Sequence, residues 1–427
     1  MRWLAITLLT LMVVSCARAA TSPAWTDNAL NELAAVAATI EEDGLPSQAS
    51  AIDQIAKLRG RYAQANDQPE AAALDARADA LFLGLAHDFA LGGADPARVD
   101  PTWHFKADKP DFPALRAQAL GANGVAATLR ALLPQSAEYA ALKAELAKAR
   151  ADEDAAHIVA LRANMERLRW APRTMAQDRV EVRIPFFVLT RYAGDIPVEE
   201  HKVIVGKPAT PTPSFAAAIE AITLNPYWTP PTSIAKKEIF PQLRRDPGAA
   251  ARLGYEIRDQ NGSLIDPHAL ASGGASYTIR QIPGPANALG AIKFEVSDPY
   301  AIYIHDTPSK ALFDREKRAF SHGCIRLEAP GDMAAALAPA SVVPTLGDLI
   351  ATGENKTIKL DASIPVYVLY LTAAMDKNGA VIYADDVYKR DARIVRALDK
   401  ASRSDGISAS DDGAALTSLA AGEACGG

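Results

Sequence analysis

The sequence is poor in cysteine, with three such residues among 427. Cys16 falls in an N-terminal segment typical of an export signal, and Cys425 falls in a tail with little apolar character, which leaves Cys324 in the body of the chain. Two cysteines cannot form a disulfide framework for about 400 mature residues, so hydrophobic cores must supply the stability. Hydrophobic residues make up 49% of the sequence, which is ample for that purpose.

Other absences exclude further classes of protein. Beyond the first twenty residues the sequence has no apolar run long enough to span a bilayer. It has no glycine-rich phosphate loop, no heptad run and no internal repeat. The net charge is −6 and no basic cluster offsets it, which argues against nucleic acid as a partner. The length predicts two or three domains.

Residues 1–20 are predicted to be a signal peptide, with an apolar run over 4–14 followed by small residues. The segment 17–19 has the A-x-A pattern of a cleavage site. The segment 13–16 also resembles a lipobox, which would make Cys16 a lipidated N-terminus. Valine is a weak first residue for a lipobox, so simple secretion is favoured. Both alternatives place the mature protein in the periplasm, either free or anchored to the membrane through Cys16.

Helical periodicity dominates residues 28–172, which we expect to form a helical domain. One predicted apolar stripe consists of Leu30, Leu33, Ala37 and Ile40, and its helix should end at 44–46, a Gly-Leu-Pro sequence. Residues 142–170 are predicted to form one continuous helix. The tail over 401–427 is rich in Ser, Ala, Gly and Asp and is expected to be disordered.

The period changes to two after residue 179, so residues 178–395 are expected to form a mostly β, sandwich-like domain. Strands are predicted over 291–297 and over 300–305, and a short helix over 331–338. A hairpin is predicted between 365–371 and 380–383, with an Asn-Gly turn. The fold class is therefore α+β. A polar insertion over 230–274 interrupts the strands, and it is either a cap over the site or a surface excursion.

The chemistry is concentrated in the sequence Ser321-His322-Gly323-Cys324-Ile325-Arg326, preceded by His305. An unpaired thiol beside histidine is a candidate nucleophile, because a neighbouring imidazole can accept its proton. Gly323 leaves room for backbone N–H groups to approach an oxyanion. Arg326 can bind a carboxylate through its planar fork of donors.

This segment resembles the signature of L,D-transpeptidases with the YkuD-type catalytic domain: a histidine, about fifteen residues, then Ser-His-Gly-Cys. The helical region and the sequences over 100–104 and 164–170 are similar to the large proteobacterial type, which carries a helical scaffold domain. The peptidoglycan-binding module common in that group has no room here. By this resemblance Cys324 is the nucleophile, His305 is the base and the Asp306 carbonyl orients it, while His322 and Gly323 shape the oxyanion side. Arg326, Ser321 and Asp306 are expected to contribute to substrate binding.

The resemblance implies an enzyme that cross-links peptidoglycan stem peptides through a thioester on the nucleophile. It requires neither a metal nor an organic cofactor. Its partners would be donor and acceptor stem peptides, and carbapenem-type inhibitors would acylate the same thiol. An L,D-carboxypeptidase, with water as the acceptor, is the near alternative. A non-enzymatic cell-wall-binding protein is the alternative of another class.

Three structural alternatives remain open at the site. Cys324 could be an inert buried thiol. His305, His322 and Cys324 could together ligate zinc, although the spacing is unlike that of zinc fingers. Arg326 could form a structural ion pair with Glu328 or Asp306 instead of binding a substrate carboxylate.

Overall fold

The computed structural model describes residues 22–272 and 277–403. The predicted signal peptide with Cys16 and the tail beyond residue 403 with Cys425 lie outside the described residues. None of the described helices is both long and apolar enough to cross a membrane.

The described residues form two compact units. One comprises residues 22–91 and 109–133, and the other comprises residues 92–108 and 134–403. The contacts therefore group residues 134–172 with the β-rich part of the chain, whereas the sequence pattern groups them with the helical region.

The helices of the N-terminal part run in this order: α1 Asp27–Ala38, α2 Ala49–Ala65, α3 Gln68–Leu91, α4 Pro96–Val99, α5 Phe112–Leu120, α6 Val125–Arg130, α7 Ala137–Ala151 and α8 Ala155–Trp170. The predicted stripe of Leu30, Leu33, Ala37 and Ile40 is buried, which confirms that it faces a core. Helix α1 ends earlier than predicted, and a 3-10 turn over Ile40–Asp43 leads to Gly44, whose φ of 74° is left-handed.

The prediction of one continuous helix over 142–170 is wrong. Helix α7 ends at Ala151, and Asp154 begins α8 by accepting a hydrogen bond from the backbone N–H of His157 at 3.1 Å. Glu153 between them has a φ of 53°. An aspartate that caps the next helix and a left-handed residue before it separate the two helices.

Helix α8 carries a buried polar cluster. The side chains of Asn164, Glu166, Arg167 and Arg169 are all inaccessible to solvent. Arg169 donates to Glu166 at 2.6 and 3.0 Å, and Arg167 donates to Asp391 at 2.6 Å. These contacts place α8 in the core of the second unit.

The strands are β1 Arg179–Arg183, β2 Val188–Ala193, β3 Ile196–Gly206, β4 Phe215–Leu224, β5 Tyr255–Arg258, β6 Thr278–Gln281, β7 Ile292–Val296, β8 Ile304–His305, β9 Ala319–Ser321, β10 Ile325–Leu327, β11 Lys356–Leu369, β12 Ala373–Met375 and β13 Val381–Tyr383. The later helices are α9 Thr232–Ile234, a π-helical turn Ala235–Ile239, α10 Phe240–Arg245, α11 Ala249–Arg252, α12 Pro330–Leu337, α13 Leu346–Ala351 and α14 Asp391–Arg403. The mostly β character expected of this region is confirmed.

Nine strands form one sheet in the order β10-β8-β7-β4-β11-β1-β2-β3-β9, and β10 also pairs with β3. The sheet therefore closes on itself through the β3–β10 pair, where Arg326 lies opposite Ile204. Closure removes free edges at the strands that carry the candidate site. It also gives β10 a partner on each side, so the segment after Cys324 is fixed from both directions.

Two predicted boundaries near the C-terminus are wrong. The hairpin around the Asn-Gly turn joins β12 to β13, whereas residues 365–369 belong to β11, a central strand of the large sheet. An apolar central strand and a hairpin strand look alike by periodicity. Helix α14 extends to Arg403, so residues 401–403 are helical.

The described part of the insertion packs with the following strand β6 to form a small subdomain with its own core. This subdomain contains α9, the π-helical turn, α10, α11 and the β5–β6 hairpin. Its buried apolar side chains are Ala235, Ile239, Leu243, Ala249, Ala250, Ile257, Leu270 and Ile279. A segment with this much internal packing is more than a surface excursion.

Candidate active site

Strand pairing places three candidate side chains in one row. His305 on β8 lies opposite Arg326 on the parallel strand β10 and opposite Lys293 on the antiparallel strand β7. Directly paired residues point to the same face of a sheet. Two cations therefore flank one imidazole, while Ile304, Phe294 and Ile325 face the buried core.

Cys324 immediately precedes β10. The next residue, Ile325, donates its backbone N–H to the carbonyl of Tyr303 at 2.8 Å, which holds the two chain segments together. Cys324 is two positions before Arg326, so in extended chain its side chain lies on the same face of the sheet as Arg326 and His305. The structure thus brings together Cys324, His305 and Arg326, which the sequence pattern singled out.

The turn that carries Cys324, the candidate nucleophile, is fixed from within by Ser321; this turn over 321–324 is called the nucleophile turn below. The Ser321 hydroxyl donates to the Cys324 carbonyl at 2.6 Å and accepts from the Gly323 N–H at 3.0 Å. Ser321 is 2% exposed, so its hydroxyl is occupied in the turn. Gly323 has a φ of 124°, a conformation that side chains rarely adopt.

A second contact holds the same turn from outside. The Thr212 hydroxyl donates to the Gly323 carbonyl at 2.7 Å and accepts from the Gly206 N–H at 2.8 Å. Thr212 is fully buried. Thr212 therefore links the Gly323 carbonyl, directly before Cys324, to the end of β3, and it does so without contacting the thiol.

His305 is 5% exposed, and its Nδ1 lies 2.5 Å from the carbonyl oxygen of Asp306. A carbonyl can only accept, so Nδ1 carries the proton and Nε2 retains the lone pair. Burial lowers the pKa of His305 to about 4, and the positive charges of Arg326 and Lys293 contribute in the same direction. The imidazole is therefore neutral at neutral pH and able to accept a proton.

The Cys324 thiol is partly buried, and its sulfur lies 3.8 Å from the carbonyl oxygen of Ala301. Burial raises the pKa of Cys324, while the Tyr303 N–H and the charges of Arg326 and Lys293 act to lower it. Within the described residues, no hydrogen bond joins Cys324 to His305. The thiol is thus held in its neutral form on a backbone carbonyl, as in many enzymes without substrate.

The segment before β8 is a turn where a strand over 300–305 was predicted. The carboxylate of Asp298 accepts from the backbone N–H of Tyr300 at 2.7 Å and of Ile302 at 3.3 Å. Ala301 has a φ of 54°, and this left-handed geometry accompanies the approach of its carbonyl to the thiol. Only Ile304 and His305 are in strand conformation.

The side chain of Asp306 has a different role from its carbonyl. Its carboxylate accepts from the Ala291 N–H at 2.8 Å and pairs with Lys310 at 2.8 Å. A Cβ at position 290 would overlap this carboxylate, so Gly290, with a φ of 61°, is required there. A cavity of about 360 Å³ beside Asp306 does not include Cys324 or His322.

Arg326 pairs with neither of the carboxylates that the sequence offered as structural partners. Glu328 lies 3.3 Å from Lys202, and Asp306 pairs with Lys310. The Nε of Arg326 is buried and has no hydrogen-bond partner among the described residues. A buried guanidinium donor without an acceptor is costly, which makes it a candidate ligand for an anionic group.

His322 points to the insertion. Its Nε2 lies 2.7 Å from Oε1 of Glu238, on the π-helical turn, and 3.4 Å from Nζ of Lys207. Zinc ligation would need His322 to converge with His305 and Cys324. The described part of the chain contains no group of three or more His, Cys, Asp or Glu side chains placed to hold a metal ion.

Comparison with known families agrees with this arrangement. Residues 177–345 match the L,D-transpeptidase catalytic domain, YkuD, and residues 17–146 match the Scaffold domain. The chain therefore contains a region similar to the YkuD L,D-transpeptidase catalytic domain and a region similar to the Scaffold domain. A candidate L,D-transpeptidase of Haemophilus influenzae is 30% identical over 237 residues, which cover 54% of this chain and 48% of that relative. The chain thus matches about half the length of the curated relative.

Two solved structures of L,D-transpeptidases show low similarity to this chain. The catalytic domain of the Enterococcus faecium enzyme acylated by ertapenem is 16% identical, with 46% of this chain and 99% of that chain covered and a TM-score of 0.21. Mycobacterium tuberculosis L,D-transpeptidase 1 is 12% identical, with 45% and 61% covered and a TM-score of 0.18.

Several residues of the site were not found by sequence reasoning. Lys293 had a local signal, since it is a polar position between the apolar residues Ile292 and Phe294 of an alternating strand. Thr212, Ala301 and Glu238 had none, because their contacts with the nucleophile turn depend on the closed sheet and the folded insertion.

Proposed function

We propose that this protein is a peptidoglycan L,D-transpeptidase in which Cys324 is the nucleophile and His305 the general base. The observation that carries the proposal is that His305 lies on β8 and Cys324 immediately precedes the adjacent parallel strand β10, within residues that match the L,D-transpeptidase catalytic domain. The neutral, carbonyl-oriented imidazole of His305 supports a role in accepting the thiol proton.

In the first half-reaction, the thiol turns from the Ala301 carbonyl to His305 and transfers its proton to Nε2. The sulfur attacks the carbonyl carbon of an L-centre that precedes the terminal D-residue of a donor stem. The C–N bond then breaks, the proton on His305 passes to the leaving amine, and a thioester remains on Cys324. The Tyr303 N–H, which faces the sulfur, is a candidate oxyanion donor, whereas the Gly323 N–H is bound to Ser321.

In the second half-reaction, an amine of an acceptor stem attacks the thioester. The new amide forms, the C–S bond breaks, and the sulfur regains a proton from the attacking amine through His305. Hydrolysis by water at this stage would make the enzyme a carboxypeptidase. The chemistry requires a base, a nucleophile and oxyanion donors, all of which protein groups can supply.

Arg326 is proposed to bind the terminal carboxylate of the donor. Its unpartnered Nε and its position two residues from Cys324 support this role. A carboxylate there would also offset the two positive charges that flank His305.

We also propose that the protein acts outside the cytoplasm, because its substrate is there and its first twenty residues are typical of an export signal. Labelling with radioactive palmitate distinguishes the two processing routes. Incorporation that is lost in Cys16→Ser supports a lipoprotein, and a mature N-terminus at Ala20 without label supports simple secretion.

Mass spectrometry of reaction products tests the proposed function. Purified protein is incubated with tetrapeptide stems that serve as donor and acceptor. A cross-linked dimer with loss of one D-residue is expected from wild type and absent from Cys324→Ala. Tripeptide without dimer would identify a carboxypeptidase, and no product from a folded wild-type protein would contradict enzymatic function.

A further inference from the structure

Among the described residues, a polar contact between Glu238 and His322, 84 positions apart, joins the insertion to the nucleophile turn. The apolar core that the insertion forms with β6 includes neither residue, so its packing does not require this contact. Glu238 is exposed on the π-helical turn, between the core residues Ala235 and Ile239. Short π-helical segments are frequent at functional sites because they redirect side chains out of the regular helical pattern.

The contact fixes the state of the His322 ring. A carboxylate oxygen can only accept, so Nε2 carries a proton and donates it to Glu238. Lys207 reaches the same nitrogen at 3.4 Å and adds a positive charge beside the pair. The groups facing His322 in this structure are therefore one carboxylate from the insertion and one ammonium from the segment after β3.

We propose that Glu238 is a positioning residue that holds His322 and fastens the insertion beside Cys324. In this role it limits access to the thiol and favours an acceptor amine over water at the thioester. The preference for an amine over water rests on the proposed transpeptidase function, whereas the limit on access to the thiol does not. Glu238 contacts neither the thiol nor the base, so it acts through His322.

The exposure of Glu238 and His322 indicates that the contact between them breaks readily. The His322 side chain is 33% exposed and that of Glu238 is 52% exposed. Exposed ion pairs contribute at most about 1 kcal/mol, which corresponds to a change of roughly fivefold in an equilibrium. A stem peptide could thus displace the contact on entry, and the contact could re-form around the acyl-enzyme.

Alkylation of Cys324 by iodoacetamide tests access without any transpeptidase activity. The sulfur forms a bond to the methylene carbon and iodide leaves, and peptide-level mass spectrometry follows the Cys324 peptide alone. We expect Glu238→Ala to raise the alkylation rate about two- to fivefold and to increase deuterium uptake over 232–245. Lys237→Ala, a change at an exposed neighbour on the same turn, is the matched control and should match wild type.

Glu238→Gln separates positioning from bulk. The glutamine carbonyl can accept the hydrogen bond from His322 and has nearly the same bulk as the glutamate, but it carries no negative charge. Glu238→Gln should therefore raise the alkylation rate less than Glu238→Ala does, after normalisation to Lys237→Ala. A role in packing alone predicts the wild-type rate for Glu238→Gln.

The product ratio tests the second effect. In Glu238→Ala, the ratio of hydrolysed to transferred product should rise by a similar factor. Unchanged alkylation and deuterium uptake in Glu238→Ala would overturn the proposal, whatever the activity of the protein. Altered alkylation with an unchanged product ratio would overturn only the proposed preference for an amine over water. The absence of any activity in folded wild type would instead contradict the proposed function.

Discussion

At the residue scale, the electrostatics of the site centre on the row formed by Lys293, His305 and Arg326. Two cations beside a buried imidazole keep it neutral, and they also favour the thiolate of Cys324. Burial opposes the second effect and raises the pKa of the thiol. The balance favours a thiol that loses its proton only when the base and a substrate are in place.

The pH dependence of acylation follows from the state of His305. With a pKa of about 4, only about 1% of His305 is protonated at pH 6, compared with about three quarters for a histidine with the ordinary value near 6.5. The rate of acylation by a carbapenem should therefore be nearly flat between pH 5.5 and 7 and should rise at alkaline pH as the thiol ionises. Stopped-flow measurements in a His322→Gln background, which removes the other nearby imidazole, provide the test. A half-loss of rate near pH 6.5 in that background would show that His305 titrates normally.

Loss of the base should be costly. His305→Ala is expected to slow acylation by about two to four orders of magnitude, the usual range for a general base. His322→Ala should have a smaller effect, because it changes geometry and access but not proton transfer from the thiol. If His322→Ala slowed acylation more than His305→Ala did, and both variants had native circular dichroism spectra, the roles of the two histidines would be exchanged.

Arg326→Lys tests the carboxylate contact. The variant keeps the charge but loses the planar fork, so it should use a tetrapeptide donor about tenfold less efficiently, as for the loss of a charge-assisted hydrogen bond. Wild type should prefer this donor to one with an amidated terminal carboxylate, and the variant should lose that preference. An equal preference in both proteins, with a lower Tm for the variant, would assign Arg326 a structural role.

At the scale of the element, helix α8 shows how buried charge can be tolerated. Glu166 accepts from Arg169 and, at 2.7 Å, from the backbone N–H of Ala94, while Arg169 also donates to Tyr139 at 2.8 Å. Every one of these partners is needed, because a single unpaired charge at this depth would be strongly destabilising.

Glu166→Gln should therefore lower the free energy of unfolding by about 3 kcal/mol or more, since it leaves Arg169 buried without its counter-charge. Glu145→Gln, which removes an exposed pair with Lys148 on α7, is the control and should leave the Tm unchanged. Thermal unfolding followed by circular dichroism provides the measurement. Equal Tm values for Glu166→Gln and wild type would show that the pair does not stabilise the fold.

The elements differ in how well the sequence predicts them. The stripe of α1 and the short helix after the nucleophile turn follow from local periodicity, and both are confirmed. The predicted hairpin partner of β13 and the predicted continuous helix over 142–170 were wrong. The long-range pairing of β11 accounts for the first error and the capping aspartate Asp154 for the second, and a local apolar pattern reveals neither feature.

At the scale of the whole molecule, the sequence predicts the chemistry better than its surroundings. The residues that could attack, accept a proton or bind a carboxylate are adjacent in sequence or separated by a short spacing, so their types and order suffice to indicate the reaction. The groups that orient them come from distant segments, such as Thr212 and Glu238. Their identification required the closure of the sheet between β3 and β10 and the folding of the insertion.

The central claim is that Cys324 forms a covalent acyl-enzyme, and intact-protein mass spectrometry tests it most directly. Wild type and Cys324→Ala are incubated with a carbapenem at neutral pH, and circular dichroism establishes that both are folded. Wild type should gain the full mass of one inhibitor molecule, because opening of the β-lactam ring releases no fragment, and peptide mapping should locate the adduct on Cys324. Cys324→Ala should gain no mass. The same adduct on folded Cys324→Ala, or an unmodified and folded wild type at high inhibitor concentration, would contradict the assignment.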